Sequence, residues 1–341
     1  MSDWVVCHKG RGFLYNEIRG KMKLIHGDCL IESDKIESGS VDLILTDLPY
    51  GVVTDINNVN HGMSGKCGWD VIIDTDKIME VANRILRRNG RMILTAQQPF
   101  TTELINKAHK NLPFNYSMIW EKDHFANALM AKKAPLSYYE DVLVFSKKYD
   151  TEKNPIQTYL LDEFKKCGKS ISFYKELCGF TGNQPYNWFS PKNDGTRQWA
   201  FPIKKHYEKL SVTGYFLKPF KEIEKMDLKY RAIFNLWENN KYKSNILKYK
   251  KDYGRHHPTQ KPVLLLEDLI KTFSNEGDLA VDLTMGSGST GVACKNLNRD
   301  FIGIELDAKY FKIAKQRIEG TQHNQRMSGR QKAPPLMLNV M

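Results

Sequence analysis

A chain of 341 residues with 41% hydrophobic and 26% charged side chains can bury one large core and carry a further module, and its composition excludes a fibrous or wholly disordered protein. No apolar run approaches the roughly 20 residues of a membrane helix, the start Met1-Ser2-Asp3-Trp4 shows no signal peptide, and the six cysteines (7, 29, 67, 167, 178 and 294) form no Cys-x-x-Cys pair. The expectation is a cytoplasmic protein with reduced thiols and no metal site, whose formal charge of +12 calls for a polyanionic partner.

The first predicted strand starts at Met22 and ends at Gly27-Asp28. The next, Val41 to Thr46, is apolar and delivers Asp47-Leu48-Pro49-Tyr50. An acid, a proline-braced turn and an aromatic ring at a strand's carboxyl end make a small polar site with a stacking face, where open α/β sheets bind ligands. The same residue types also open ordinary turns. After a polar loop and Trp69-Asp70, apolar spacing at Ile78, Val81, Ala82, Ile85 and Leu86 predicts a helix over 75–88, stopped by Asn89-Gly90. A strand over 91–96, a helix opened by Pro99, and strands over 116–121 and 139–146 follow.

Residues 147–261 hold 24 Lys and Arg against 12 Asp and Glu, so the whole net charge of +12 belongs to this stretch. Concentration on one module is what a phosphate-tracking surface requires, with Lys204, Lys205, Lys241, Lys243, Lys250 and Lys251 as candidates. Aromatic residues are interleaved: Tyr186, Trp188, Phe189, Trp199, Phe201, Tyr215 and Trp237. They suit stacking on bases or, ring by ring, the core of the module itself.

His257-Pro258-Thr259-Gln260-Lys261-Pro262 precedes an amphipathic helix over 263–273. A strand over 279–283 leads into Gly286, Gly288 and Gly291, then a helix-compatible stretch, then a strand over 301–305 ending in Glu305. Strand, glycine turn, helix, strand and acid form the nucleotide-binding half of a doubly wound sheet. The tail over 320–341 is polar, basic and proline-containing, and reads as frayed or disordered.

The turn at 47–50 resembles the Asp-Pro-Pro-Tyr signature of DNA amino-methyltransferases, and the run from His257 to Glu305 resembles the cofactor half of their beta class. The stretch over 127–147 is similar to that family's late catalytic motif. The resemblance implies an α/β, doubly wound, mostly parallel seven-stranded methyltransferase sheet, circularly permuted, with an inserted target-recognition module. The expected divisions are a catalytic half over 22–148, the insert over 149–253, a cofactor half over 254–319 and the tail.

It also implies a site-specific enzyme that moves a methyl group from S-adenosylmethionine to the N6 amine of adenine, flipped out of double-stranded DNA. Asp47 and the Leu48 carbonyl would accept the amine hydrogens, Pro49 would brace the turn and Tyr50 would stack on the base. Asp282 would face the methionine ammonium, Gly286 and Gly288 would allow close approach, Glu305 would take the ribose hydroxyls, Asp28 the adenine edge, and Lys261 and Pro262 would border the methionine. A bacterial or phage-infected cell is the implied setting; a homodimer and a companion nuclease are compatible with the resemblance and unreadable from it.

Two positions depart from the pattern, Leu48 for Pro and Leu283-Thr284 for Pro-Phe. They keep open a catalytically impaired DNA-binding relative. Asp47 leans toward adenine over the N4 amine of cytosine, where Ser is more usual. RNA or protein methylation uses similar chemistry, and the basic insert weighs against a small protein target. Ring-carbon methylation of cytosine, which uses a Pro-Cys nucleophile, is excluded because no cysteine follows a proline.

Overall fold

Strands from both ends of the chain meet in one sheet. The computed structural model describes residues 22–49, 73–126, 131–148, 155–182, 185–189, 200–228, 232–237, 242–252 and 260–321. In chain order these give β1 (Met22–His26), α1 (Cys29–Glu32), β2 (Val41–Thr46), α2 (Thr75–Ile85), β3 (Leu86–Ala96), α3 (Phe100–Asn106), β4 (Phe114–Ala126) and β5 (Ser137–Ser146). Four helices follow, α4 (Pro155–Cys167), α5 (Ile171–Cys178), α6 (Lys204–Ser211) and α7 (Phe220–Leu228). The chain closes with β6 (Ile246–Lys248), α8 (Val263–Phe273), β7 (Leu279–Asp282), α9 (Ser289–Asn296), β8 (Asp300–Glu305) and α10 (Ala308–Gly320).

The sheet order is β1-β8-β7-β2-β3-β5-β4-β6, and every neighbouring pair is parallel except those of β5. Pairing of Met22 with Phe301 and of Leu43 with Ala280 joins the two ends of the chain. One face packs on α1–α3 through residues such as Ile44, Ile78, Ile85 and Leu104, and the other on α8–α10 through Leu43, Leu45, Leu269 and Ala314. Cover on both faces explains why the central strands read as continuous apolar runs rather than alternating ones.

All seven expected strands form, but the sheet has eight: β6 pairs in parallel with β4, with Ile246 opposite Ile119. Three residues are too few to show alternation, and they lie inside the stretch assigned to the insert. The expected helix over 75–88 ends at Ile85, because Leu86 is already extended and continues as β3. Asn89 (φ 60) and Gly90 are therefore no helix stop but a bulge opposite Val41–Leu43. A Cβ at Gly90 would lie 2.9 Å from the Arg87 carbonyl oxygen, which accounts for the glycine there.

Helices α4–α7 enclose a core of their own, with Ile156, Leu160, Tyr174, Trp188, Phe189, Tyr207, Phe216 and Ile223. Trp188 and Phe189 are buried in it, and Phe201 and Tyr215 pack against it, so these rings hold the module together. Tyr186 stays exposed, and Trp237 sits under the ammonium groups of Lys243 and Lys271. Trp199 lies outside the described residues. Past the helices the chain returns to the sheet: the Asn235 amide donates to the Thr272 carbonyl at the end of α8, at 2.8 Å. Among the described residues no helix is long and apolar enough to cross a membrane, and no group of three or more His, Cys, Asp or Glu could hold a metal ion.

Candidate active site

Strands β7 and β2 are neighbours, yet β7 crosses over through α9 to β8 on one side while β2 crosses through α2 to β3 on the other. That reversal opens a crevice at the carboxyl ends of the strands, the place where doubly wound sheets bind ligands. Asp282, at the end of β7, and Asp47, just past β2, stand on its two sides.

Asp47 is held at three points. The Thr95 hydroxyl from β3 donates to Oδ1 at 2.5 Å, the Lys261 ammonium to Oδ2 at 2.5 Å, and the Thr284 hydroxyl to its main-chain oxygen at 2.9 Å. Leu48 is buried with the core on the α1–α3 face, so packing anchors the turn where a second proline would have stiffened it. Pro49 is half-buried, and Tyr50 lies outside the described residues.

Asp282 is buried and accepts from the Thr46 hydroxyl at 2.8 Å and the Thr284 amide at 3.1 Å. Burial pushes its carboxyl up to about 6, against the pull of the Thr290 and Thr46 hydrogen bonds. The Thr46 and Thr284 oxygens are 2.9 Å apart, so the two threonines bridge one acid to the backbone of the other.

Glu305 ends β8 with a backbone donor on each oxygen, the Gly286 amide on Oε2 and the Asp307 amide on Oε1, both at 2.8 Å. Burial raises its pKa and these amides oppose the rise. Each oxygen keeps acceptor capacity for a ligand hydroxyl. Gly286 (φ 52) borders open space, since an added Cβ would meet nothing within 4 Å. Gly288 (φ 82) differs: its Cβ would lie 2.9 Å from that of Ala314, so this glycine lets the start of α9 pack on α10. Arg317 reaches from α10 to the Ser287 carbonyl at 2.6 Å and braces the loop between them.

The remaining expected residues are placed as follows. Asp28 is exposed beside Glu305, because the Gly27 amide donates to the Glu305 carbonyl, and its carboxylate caps α1 through the Leu30 amide at 2.8 Å. Pro262 is the buried N-cap residue of α8. Lys261 is buried on Asp47, with its ammonium also 3.2 Å from Glu140 Oε2. Burial alone would lower its pKa; Asp47 and Glu140 outweigh that and raise it above the ordinary lysine value. The Lys122 ammonium from β4 lies 2.8 Å from Glu140 Oε1. Sequence reasoning missed Thr95, Thr46, Glu140 and Lys122, which come from four strands and share no local pattern. Only Glu140 had a signal, as one of two adjacent acids, Glu140 and Asp141, leading into the apolar half of β5.

Of the described cysteines, Cys29, Cys178 and Cys294 are buried, and burial raises the pKa of each, which suits inert thiols.

Comparison with known proteins gives three kinds of match. A family model described as DNA methylase matches residues 41–316. The type II methyltransferase M2.DpnII of Streptococcus pneumoniae is 44% identical over 312 residues, covering 88% of this chain and 91% of the relative. The DNA adenine methyltransferase YhdJ of Escherichia coli (strain K12) is 27% identical over 306 residues, covering 88% of this chain and 83% of the relative. Among solved structures, the M1.HpyAVI–SAM complex aligns with a TM-score of 0.47 at 19% identity, over 87% of this chain and 100% of that one.

Proposed function

The chain belongs to the DNA methylase family, and on that premise we propose that it methylates the N6 amine of adenine in double-stranded DNA, with S-adenosylmethionine as donor. The observation that carries this reading is the placing of Asp47 at the crevice between β2 and β7, one strand away from the buried acid Asp282 and its glycine turn. Such a crevice sets the Asp47 acceptor beside the glycine turn and the acids Asp282 and Glu305. The likeness to YhdJ, an adenine methyltransferase by name, supports the choice of base.

The residues present fit S-adenosylmethionine. Asp282 offers a buried carboxylate to a cationic amine, Gly286 leaves room for backbone approach, and Glu305 offers two fixed oxygens to ribose hydroxyls. When bound, the cofactor supplies a methyl group activated on a sulfonium. The exocyclic amine of adenine is a weak nucleophile because its lone pair is delocalised into the ring. Asp47 and the Leu48 carbonyl accept its two hydrogens, which draws the nitrogen toward tetrahedral geometry and frees that pair. Asp47 then takes the proton that the methylated nitrogen sheds and passes it to solvent, its side chain being 27% exposed. Positioning and fixed charge supply most of the acceleration.

The basic helical insert is the target-recognition module in this reading, and genomic DNA as substrate places the enzyme in the bacterial cytoplasm. The test is modified-base sequencing of genomic DNA from cells expressing the protein. N6-methyladenine at one short motif is expected, and Asp47→Ala should remove it while cofactor binding by calorimetry persists. N4-methylcytosine alone would reassign the base, and no modified base with intact cofactor binding would mark an impaired relative.

A further inference from the structure

Four charged side chains of alternating sign run from the sheet interior to the open crevice: Lys122, Glu140, Lys261 and Asp47. The first three side chains are 2%, 12% and 9% exposed, and only Asp47, at 27%, opens to solvent. Their origins are far apart in sequence, on β4, on β5, before α8 and after β2. An isolated buried ion is strongly disfavoured, and a buried pair persists only with good geometry and further partners. Here each inner charge has an opposite charge at 3.2 Å or less on both sides or, for Lys122, on one. Lys122 also lies 5.6 Å from the centre of the Trp120 ring, which stabilises the inner end.

The arrangement bears on the reacting end. Lys261 precedes α8 and has no strand to fix its ammonium; what holds it is Asp47 on one side and Glu140 on the other. Glu140 is fixed in turn by the β4–β5 ladder, where it stands opposite Trp120, and by Lys122. With Thr95 on the other oxygen, a fixed Lys261 leaves Asp47 one orientation.

We propose that Glu140, backed by Lys122, is a positioning residue for methyl transfer: it holds the Lys261 ammonium against Asp47, so that the carboxylate stays aimed at the target amine. The proposal rests on Asp47 being the amine acceptor. Glu140 touches neither substrate nor cofactor and acts only through Lys261. Its second effect is on protonation. Lys261 is raised above the ordinary lysine range because two carboxylates together outweigh its burial. Removing one of them lets burial pull that ammonium toward neutrality, so it is lost as pH rises through a lower value than before.

The experiment measures kcat and the KM values for DNA and cofactor for wild type, Glu140→Gln, Glu140→Asp and the double variant Lys122→Met/Glu140→Gln. In Glu140→Gln, kcat should fall about tenfold to a hundredfold through misplacement of the acceptor. Both KM values should stay within about threefold of wild type, because Glu140 touches neither DNA nor cofactor. Glu140→Asp, which keeps the charge, should recover most of kcat. The double variant removes one buried charge of each sign, so it keeps the net charge of the network and guards against a single variant that fails to fold. Its kcat should still lie below that of wild type, because the Lys261 ammonium is then held by one carboxylate instead of two. A kcat within about threefold of wild type in the folded variants, or KM values that rise as far as kcat falls, would overturn the positioning role and leave the methyltransferase reading intact. A wild-type enzyme with no methyl transfer, or an Asp47→Ala variant that keeps it, would overturn the reading itself.

Discussion

Asp282 carries a consequence for pH because its carboxyl is pushed up to about 6 by burial. A folded-state pKa above the unfolded value stabilises the protein below the unfolded pKa, and that contribution is lost as pH rises through about 6. A cationic amine at Asp282 selects the ionised form, so cofactor binding should release a proton near pH 6 and weaken about tenfold per unit below it. Calorimetry from pH 5 to 7.5 in buffers of different ionisation enthalpy measures both; a flat affinity, or one unchanged in Asp282→Asn, would remove the acid from the cofactor site. Glu305→Ala should weaken the cofactor by about 1.5–3 kcal/mol, the worth of a hydrogen bond to a charged acceptor. The placing of Asp47, Asp282 and Glu305 at strand ends was legible because an acid closing an apolar strand is a local pattern. Thr284 was legible only as a departure, since nothing local shows that its hydroxyl reaches the Asp47 backbone 237 residues away. Lys261 was expected to border the methionine, and the structure shows its ammonium on Asp47, a pairing that depends on how the sheet closes.

The glycine turn divides into two kinds of position at the level of the element. Gly286 faces open space and Gly288 faces α10, although both have positive φ. Gly286→Ala should therefore cost about 1–2 kcal/mol of backbone strain and mainly affect cofactor affinity. Gly288→Ala adds an overlap with Ala314 and should cost about 1–3 kcal/mol more. Thermal denaturation of the cofactor-free protein separates them, and equal losses of Tm would mean that α10 gives way freely. The existence of seven of the eight strands was readable, because a buried strand is a largely unbroken apolar run. Boundaries were harder. The bulge at Asn89-Gly90 uses the same residues as a helix stop, and only the pairing of β2 with β3 distinguishes the two. The three residues of β6 carry no periodicity of their own.

At the scale of the whole molecule, α4–α7 enclose a core apart from the two that flank the sheet, while the excess charge of 147–261 is shared between these helices and the segments that follow them. Lys204, Lys205 and Lys250 are exposed and suit phosphate binding, whereas Lys243 is half-buried and paired with the buried Asp268, a structural role. Replacing the first three with Gln should flatten the salt dependence of DNA affinity by about 0.9 log units per log of salt for each phosphate no longer neutralised. Lys243→Gln should lower Tm instead. Filter binding over a salt series checks this, and an unchanged slope would move the phosphate-binding surface to the catalytic face. The charge count marked 147–261 as one stretch and gave no sign that 242–252 returns to the sheet, since its partners are β4 and α8. The seam between β2 and β7 also constrains how the chain is made. Thr46 and Asp282 touch, yet 236 residues separate them. At a synthesis rate of about 5–20 residues per second, β2 has one bare edge for on the order of ten seconds to a minute before its partner leaves the ribosome. Apolar on both faces and unpaired on one side, the nascent catalytic half is a substrate for chaperones and a seed for aggregation until its last quarter arrives. A chain stopped before Leu279 has no productive way to close.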